Sequence, residues 1–435
     1  MTRRAGHRSA DLVARVAALM LLVAAVARGQ GGIPSPDGFA FYTPGSCVSA
    51  FQRSDAFYWR ARQDTARFSA TADTMLTASA ALARECAKKF SVTTVVPRDL
   101  ILLARVYLAM GDDAAARTAV ERRLAADASK PVADRATTLA EIVEAYVGAS
   151  PARIDIARGY LKQLDALPQA EAALGQVRGH RRLALLFWVR GDDAGLVPEA
   201  EASIAAAKRL NTHDRIEYMM LIAGMYNYIA EVEATRTGMA AAPRAVIARA
   251  RADLGKLEGA DKLLAQLDTI ASMYGQKGSR LVASYWLGTP GDTIRPTPGK
   301  VSVIMFSPAR ANIPAFRRLQ QESGGKVEVS FVGNTAGFFK DEGPLTPAAE
   351  MGYLKGYYFD ELHATGVMAV NESQFHRMPD GRRMADISAN GRAYRTSAGT
   401  LVVVLDKEGV IRRVIADFWR PWYENRIAEV VAKLQ

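Results

Sequence analysis

Residues 299–319, GKVSVIMFSPARANIPAFRRL, constrain the fold more than any other stretch of the chain. Val301, Val303 and Met305 alternate with Ser302, Ile304 and Phe306, so both sides of a strand here are almost wholly apolar. Such a run suits a strand covered on both faces rather than one with a wet side. Ser307-Pro308 breaks it, and Ala309 to Leu319 reads as the start of a helix. Phe316 and Leu319 would face inward, Arg317 and Arg318 outward. A buried strand turning directly into a helix is the unit of open α/β sheets, which place chemistry at the carboxyl ends of their strands. This turn holds no Cys, His or carboxylate.

The surrounding sequence agrees with a sheet. Composition shifts near Gly275. Residues 282–287 (VASYWL), 327–332 (VEVSFV), 401–405 (LVVVL) and 410–415 read as strands, and 309–322, 347–362 and 422–434 as helices. Strands alternating with helices predict a sheet with helices on its faces.

Two segments carry a resemblance. Gly299-Lys300-Val301 through Phe306, followed by Ile313-Pro314-Ala315-Phe316, resembles the thioredoxin-like redoxins, in particular their periplasmic thiol-disulfide and peroxiredoxin-related branch. There a strand of the form GKVVLLNFW leads through a CxxC turn to a helix opening near Met-Pro-Ala-Leu. Leu405-Asp406-Lys407-Glu408-Gly409-Val410-Ile411 is similar to that family's hairpin LIDRDGRI. The resemblance covers residues 276–435 and implies a thioredoxin-like α/β domain. Two departures bear on activity. Phe306-Ser307-Pro308-Ala309 stands where the family has CxxC, and Thr400, preceded by Gly399, stands where it has the cis-proline. Thiol exchange needs a thiolate nucleophile, and Ser307 does not replace one without a strong base beside it. The implied reading is a redoxin domain without its redox motif. An alternative is a small anionic ligand at the vacated turn, near Ser307, Pro308, Arg310, Gly399 and Thr400, where a helix N-terminus favours negative charge.

Ahead of this domain the chain reads as helical. Phe51, Phe57, Tyr58 and Trp59 in one segment, and Met75, Leu76, Leu82 and Ala83 in the next, suggest a helical hairpin turning near residues 67–70. The only two cysteines, Cys47 and Cys86, fall at ends that such a hairpin brings together, so a stapling disulfide is expected. The alternative, a thiol-disulfide oxidoreductase using Cys47 or Cys86, lacks the close cysteine spacing of catalytic dithiols.

Internal repetition follows. LLARVYLAMGDDAAARTAVERRL (102–124) and LALLFWVRGDDA (183–194) share GDDA, with Gly111 and Gly191 80 positions apart. Ala145-Tyr146-Val147-Gly148 and Ile156-Ala157 fill the middle, giving a period of about 40. The pattern over residues 95–210 resembles degenerate tetratricopeptide repeats, which implies a helical array with a face for a protein partner. Phe187, Trp188, Tyr218, Tyr226 and Tyr228 are candidates for that face, but aromatics at helical spacing more often fill the core behind it, and that is the expectation for each of them. Asp112-Asp113 and Asp192-Asp193 open helices, and acidic residues there serve as caps, so no metal is expected from them. His363 and His376, near Glu361 and Asp380, match no metal-ligand spacing. Arg377, Arg382 and Arg383, between Asn371 and Asn390, read as part of a solvated insertion.

Targeting and charge set the compartment and exclude partners. Arg3, Arg4 and Arg8, an apolar stretch from Val16 to Ala27, and Ala25-Val26-Ala27 before Arg28 have the form of a secretory signal. The net charge is +11, of which residues 1–27 carry +3 (four arginines and Asp11), leaving +8 after cleavage. The basic residues are scattered, without a run of four and without aromatic interleaving, so nucleic acid is not an expected partner. The expected organisation is a signal peptide (1–27), a Gly/Pro-rich linker (28–44), a helical-repeat domain (45–274) and a thioredoxin-like domain (275–435). The expected protein is bacterial and periplasmic or secreted, spans no membrane once cleaved, uses no cofactor, and binds a protein partner through its repeats.

Overall fold

The computed structural model describes residues 43–48, 70–149, 151–210, 212–237, 241–288, 296–307, 313–334, 339–340, 343–344, 346–361, 363–364, 366–371, 375–377, 383–385, 389–395, 401–416 and 424–435. The signal, nearly all of the linker and the first aromatic segment lie outside these residues.

The first half is helical. A helical turn at 44–48 is followed by α1 (Ala70–Lys89) and a 3-10 turn (Pro97–Asp99). Then come α2 (Leu100–Met110), α3 (Asp113–Asp127), α4 (Val132–Val147), α5 (Ile154–Asp165), α6 (Gln169–Arg190), α7 (Asp193–Ala207), α8 (Thr212–Thr237), α9 (Ala241–Leu254) and α10 (Ala260–Met273). The first helices of successive pairs start at 100, 132, 169 and 212, steps that bracket the expected period. Each GDD turn works as its residues dictate. Gly111 and Gly191 end α2 and α6 in the left-handed region, at φ 79° and 71°. Asp112 and Asp192 then cap α3 and α7 by accepting from Ala115 N and Gly195 N, each at 2.9 Å. Helices α4 and α6 approach so closely at Gly175 that a Cβ there would lie 2.6 Å from the Ala136 carbonyl oxygen.

The second half holds a six-stranded sheet. Its strands are β1 (Tyr285–Gly288), β2 (Val301–Phe306), β3 (Val327–Asn334), β6 (Val367–Asn371), β9 (Leu401–Leu405) and β10 (Ile411–Ala416), in the order β1-β6-β3-β2-β9-β10. Strand β2 lies between β3, parallel, and β9, antiparallel, with Val303 opposite Val329 and Val404. All six of its residues are buried, as its unbroken apolar run requires. Helix α11 (Ile313–Glu322) follows β2 and α14 (Glu424–Leu434) closes the chain. Between β3 and β6 lie two short strands, β4 (Phe339–Lys340) and β5 (Gly343–Pro344), then α12 (Pro347–Leu354), which continues as a π-helix (Lys355–Glu361). The expected helix at 347–362 thus changes hydrogen-bonding pattern midway. Strand β6 was not foreseen: VMAVN is short and carries no period that separates strand from buried helix. The 371–390 insertion contains a small hairpin of β7 (Phe375–Arg377) and β8 (Arg383–Ala385), with Arg377 opposite Arg383. A short helix, α13 (Ala389–Ala393), leads towards β9.

The two faces of the sheet pack against different partners. Val303, Met305, Val329, Phe331, Val404 and Ile415 share a core with α11, α14 and the helical array. Ile304, Phe306, Val332, Val403, Leu405 and Val414 pack with Ala234 of α8, Ile270 and Met273 of α10, and Tyr274. The chain leaving α10 also runs along the outer edge of β10: Gly275 N donates to Ile411 O at 2.9 Å and Ile411 N to Gln276 O at 2.8 Å. The edge strand is thereby covered, and packing is continuous across the expected boundary at 274/275.

Candidate functional site

The turn singled out from the sequence begins as expected at the carboxyl end of β2. Ser307 is exposed and its backbone is left-handed, φ 49°, a conformation a residue with a Cβ adopts rarely. Its N–H donates to Val332 O at 2.8 Å, which ties the turn to the end of β3. Phe306, one residue earlier, is buried with its ring 5.2 Å from that of Tyr394. It opposes Leu401, the residue after Thr400. Pro308, Arg310, Gly399 and Thr400 lie outside the described residues, as do Asp380 and Arg382. Among the described residues no group of three or more His, Cys, Asp and Glu is placed to hold a metal.

The cysteines form the expected bridge. Thr43 and Ser46 exchange backbone-to-side-chain hydrogen bonds, each 3.1 Å, and so start the helical turn that presents Cys47. Cys86 lies in the last turns of α1, beside Leu82 and Ala83 in the core. Cys47 and Cys86 are disulfide-bonded with a Cα–Cα separation of 5.9 Å, and they are 1% and 0% exposed.

The aromatic face is mostly interior. Phe187, Trp188 and Tyr226 are buried, and Tyr228 is partly buried with its ring stacked 4.8 Å from Trp188. Their helical spacing fills a core. The side chain of Tyr218 is not among those described. What crosses the first helices of the pairs in a mostly buried position is a charged row, about a quarter exposed. Glu144 of α4 sits 3.5 Å from Arg105 of α2 and 3.1 Å from Arg178 of α6.

Two charged clusters escaped the sequence reading. In the first, His180 of α6 is clamped between carboxylates, its Nε2 3.1 Å from Asp165 of α5 and its Nδ1 2.7 Å from Glu199 of α7. Both ring nitrogens can donate only if the imidazole is protonated. Burial pulls its pKa down, but the two carboxylates outweigh that and raise it to about 9. A folded value above the unfolded 6.5 means the clamp stabilises fully below pH 6.5 and is lost as pH rises through about 9. We expect urea unfolding to show a loss on the order of 2 kcal/mol over that window, allowing for screening at half-exposed Asp165. The same titration on His180→Gln should lack that loss; an unchanged profile would remove the clamp as its cause.

The second cluster lies where the sheet meets the array. Glu231 of α8 is fully buried. It accepts from Trp188 Nε1 at 2.8 Å, Asn227 Nδ2 at 3.1 Å and Arg413 Nη1 of β10 at 3.4 Å. A bulge between Ile411 and Arg413 decides which arginine turns inward. Arg412 reaches Asp406 at 2.5 Å, while Arg413 is buried against Glu231. On the other side, α14 rests on the second GDD turn, where a Cβ at Gly191 would lie 2.5 Å from Glu429 Cγ. Arg426 and Lys433 of α14 meet Asp193 at 2.7 and 3.0 Å. In the first GDD turn the corresponding Asp113 pairs with Arg153, 40 positions on, at 2.9 Å. The same acidic position thus binds the next repeat in one copy and the C-terminal helix in the other. Burial pushes the Glu231 carboxyl up and pulls Arg413 down to about 10, so neither ion is fully repaid for leaving water. For Asp193, burial is outweighed by Arg426 and Lys433, and its pKa lies below the usual carboxylate value. No local pattern marked Glu231 in the sequence, since it lies on a different side of α8 from the apolar series Met225, Ile229 and Val232.

No protein-family profile matches this chain. A search of curated proteins likewise finds no similar sequence.

Proposed function

We propose that this is a secreted adaptor, in which a tetratricopeptide-like array holds a thioredoxin-like module that has lost thiol chemistry. Support for the module comes from element order. A β2–α11–β3 unit is followed by the β9–β10 hairpin and α14, with β2 between parallel β3 and antiparallel β9, as in thioredoxin-like folds. Support for the array comes from its paired helices and recurring GDD turns. The observation that carries the loss of thiol chemistry is that the only two cysteines are joined to each other and buried, while β2 ends in Phe306-Ser307. Without a thiolate there is no nucleophile for disulfide exchange. The alternative enzyme using Cys47 or Cys86 would need an accessible disulfide. The anionic-ligand alternative rests on Pro308, Arg310, Gly399 and Thr400, outside the described residues. A structural disulfide fits an oxidising compartment, and among the described residues no helix is long and apolar enough to cross a membrane. The partner surface favoured on the array is the Arg105–Glu144–Arg178 row, whose charges remain within reach of solvent.

The protein should leave the rate of insulin-disulfide reduction by dithiothreitol unchanged. A photo-crosslinker at Arg178 should trap one protein in the cell envelope, and Glu144→Lys should abolish the adduct while leaving the circular dichroism intact. Reductase turnover that disappears in Cys47→Ser or Cys86→Ser would overturn this reading and favour the oxidoreductase.

A further inference from the structure

The junction between sheet and array holds more buried donors than acceptors. Arg413 of β10 and Arg426 of α14 are both fully buried. The oxygens of Glu231 already accept from Asn227, Trp188 and Arg413 Nη1. Those of Asp193 face Lys433 and Arg426 Nη2. Among the described residues, Arg413 Nε and Nη2 and Arg426 Nε and Nη1 then have no acceptor. An N–H buried without a partner keeps its whole desolvation penalty, and more so on a charged group. Arg413 and Arg426 face Glu231 and Asp193, so the buried charges balance, and Lys433, 43% exposed, adds a positive charge at the rim beside Asp193. Repulsion from Arg426 adds to burial in loosening the proton on Arg413, so the two guanidiniums feel each other.

We propose that a small inorganic anion of halide size binds between Arg413 and Arg426, accepting from both guanidiniums and fastening the sheet and α14 to the helical array. A buried water would satisfy some of the donors but would leave the repulsion between the two guanidiniums in place. A ligand that binds only the folded state raises its stability by mass action: above its Kd, each tenfold rise in free anion raises the folding constant about tenfold.

The test is urea unfolding of the full chain in sodium chloride or bromide, with ionic strength held constant by gluconate, which is too large for such a site. Stability should climb with halide in the wild type, and the climb should vanish in Arg426→Met. Stability that follows ionic strength alone, or an equal response in Arg426→Met, overturns the proposal. Should that variant fail to fold, crystals of the unaltered protein grown in bromide decide. An anomalous peak within hydrogen-bonding reach of both guanidiniums supports the site, and a water without anomalous signal refutes it.

Discussion

Glu231→Leu should lower the stability of the protein by about 3–5 kcal/mol, the usual consequence of removing one partner from a buried ion pair. The substitution takes away the carboxylate that accepts from Trp188, Asn227 and Arg413 and leaves two buried guanidiniums facing Asp193. Arg413→Met should destabilise in the same range, because it strands Glu231 in the core. The double variant Glu231→Leu/Arg413→Met should recover part of the loss: an apolar pair of similar volume avoids the desolvation that holds Glu231 up and Arg413 down, while the buried Trp188 N–H stays without its acceptor. Urea unfolding of the four proteins gives the coupling directly. A single variant within about 1 kcal/mol of the parent would show that the pair is not buried as described. A double variant as unstable as the two singles combined would show that the charges stabilise outright. The expected cycle makes the pair a device for fixing how the sheet sits on the array, at some cost in stability.

Breaking the Cys47–Cys86 bridge should cost about 2–4 kcal/mol, because a closed loop of this size restricts the unfolded chain. Cys86→Ala is the cleaner variant, since it places no hydroxyl in a site with no exposure. The loss should be local. Hydrogen exchange should quicken over residues 80–89 of α1, which the bridge ties to the turn at 44–48, while β2 keeps its protection. The unaltered protein should show no reactive thiol under native conditions, because both sulfurs are joined and covered. Finding two thiols in protein purified without reductant, or full reduction that leaves the midpoint and α1 exchange unchanged, would remove the bridge from the account.

The sequence alone determined features that depend on local or two-body physics. The unbroken apolar run Val301–Phe306 demanded a strand buried on both faces, and β2 is one. Leu405 to Ile411 carried its turn chemistry openly. Asp406 accepts from Glu408 N and Val410 N, and Gly409 takes φ 72°, so the β9–β10 hairpin could be foreseen. The GDDA repeats declared a glycine stop and an aspartate cap, and the two cysteines fell at ends that a helical hairpin brings together. What tertiary structure decided is which charges meet. Glu231 and Arg413 are 182 positions apart, and Lys433 meets Asp193 across 240. No periodicity predicts such contacts, since they follow from the bulge beside Arg412, from the fit of α14 against Gly191, and from the running of residues 275–278 along β10. Trp188 and Tyr226 show the same division: their spacing fixed a helix face, but only the packing of neighbouring helices decided that this face looks inward. Amphipathic patterns specify that a surface must be buried, and long-range packing chooses what buries it.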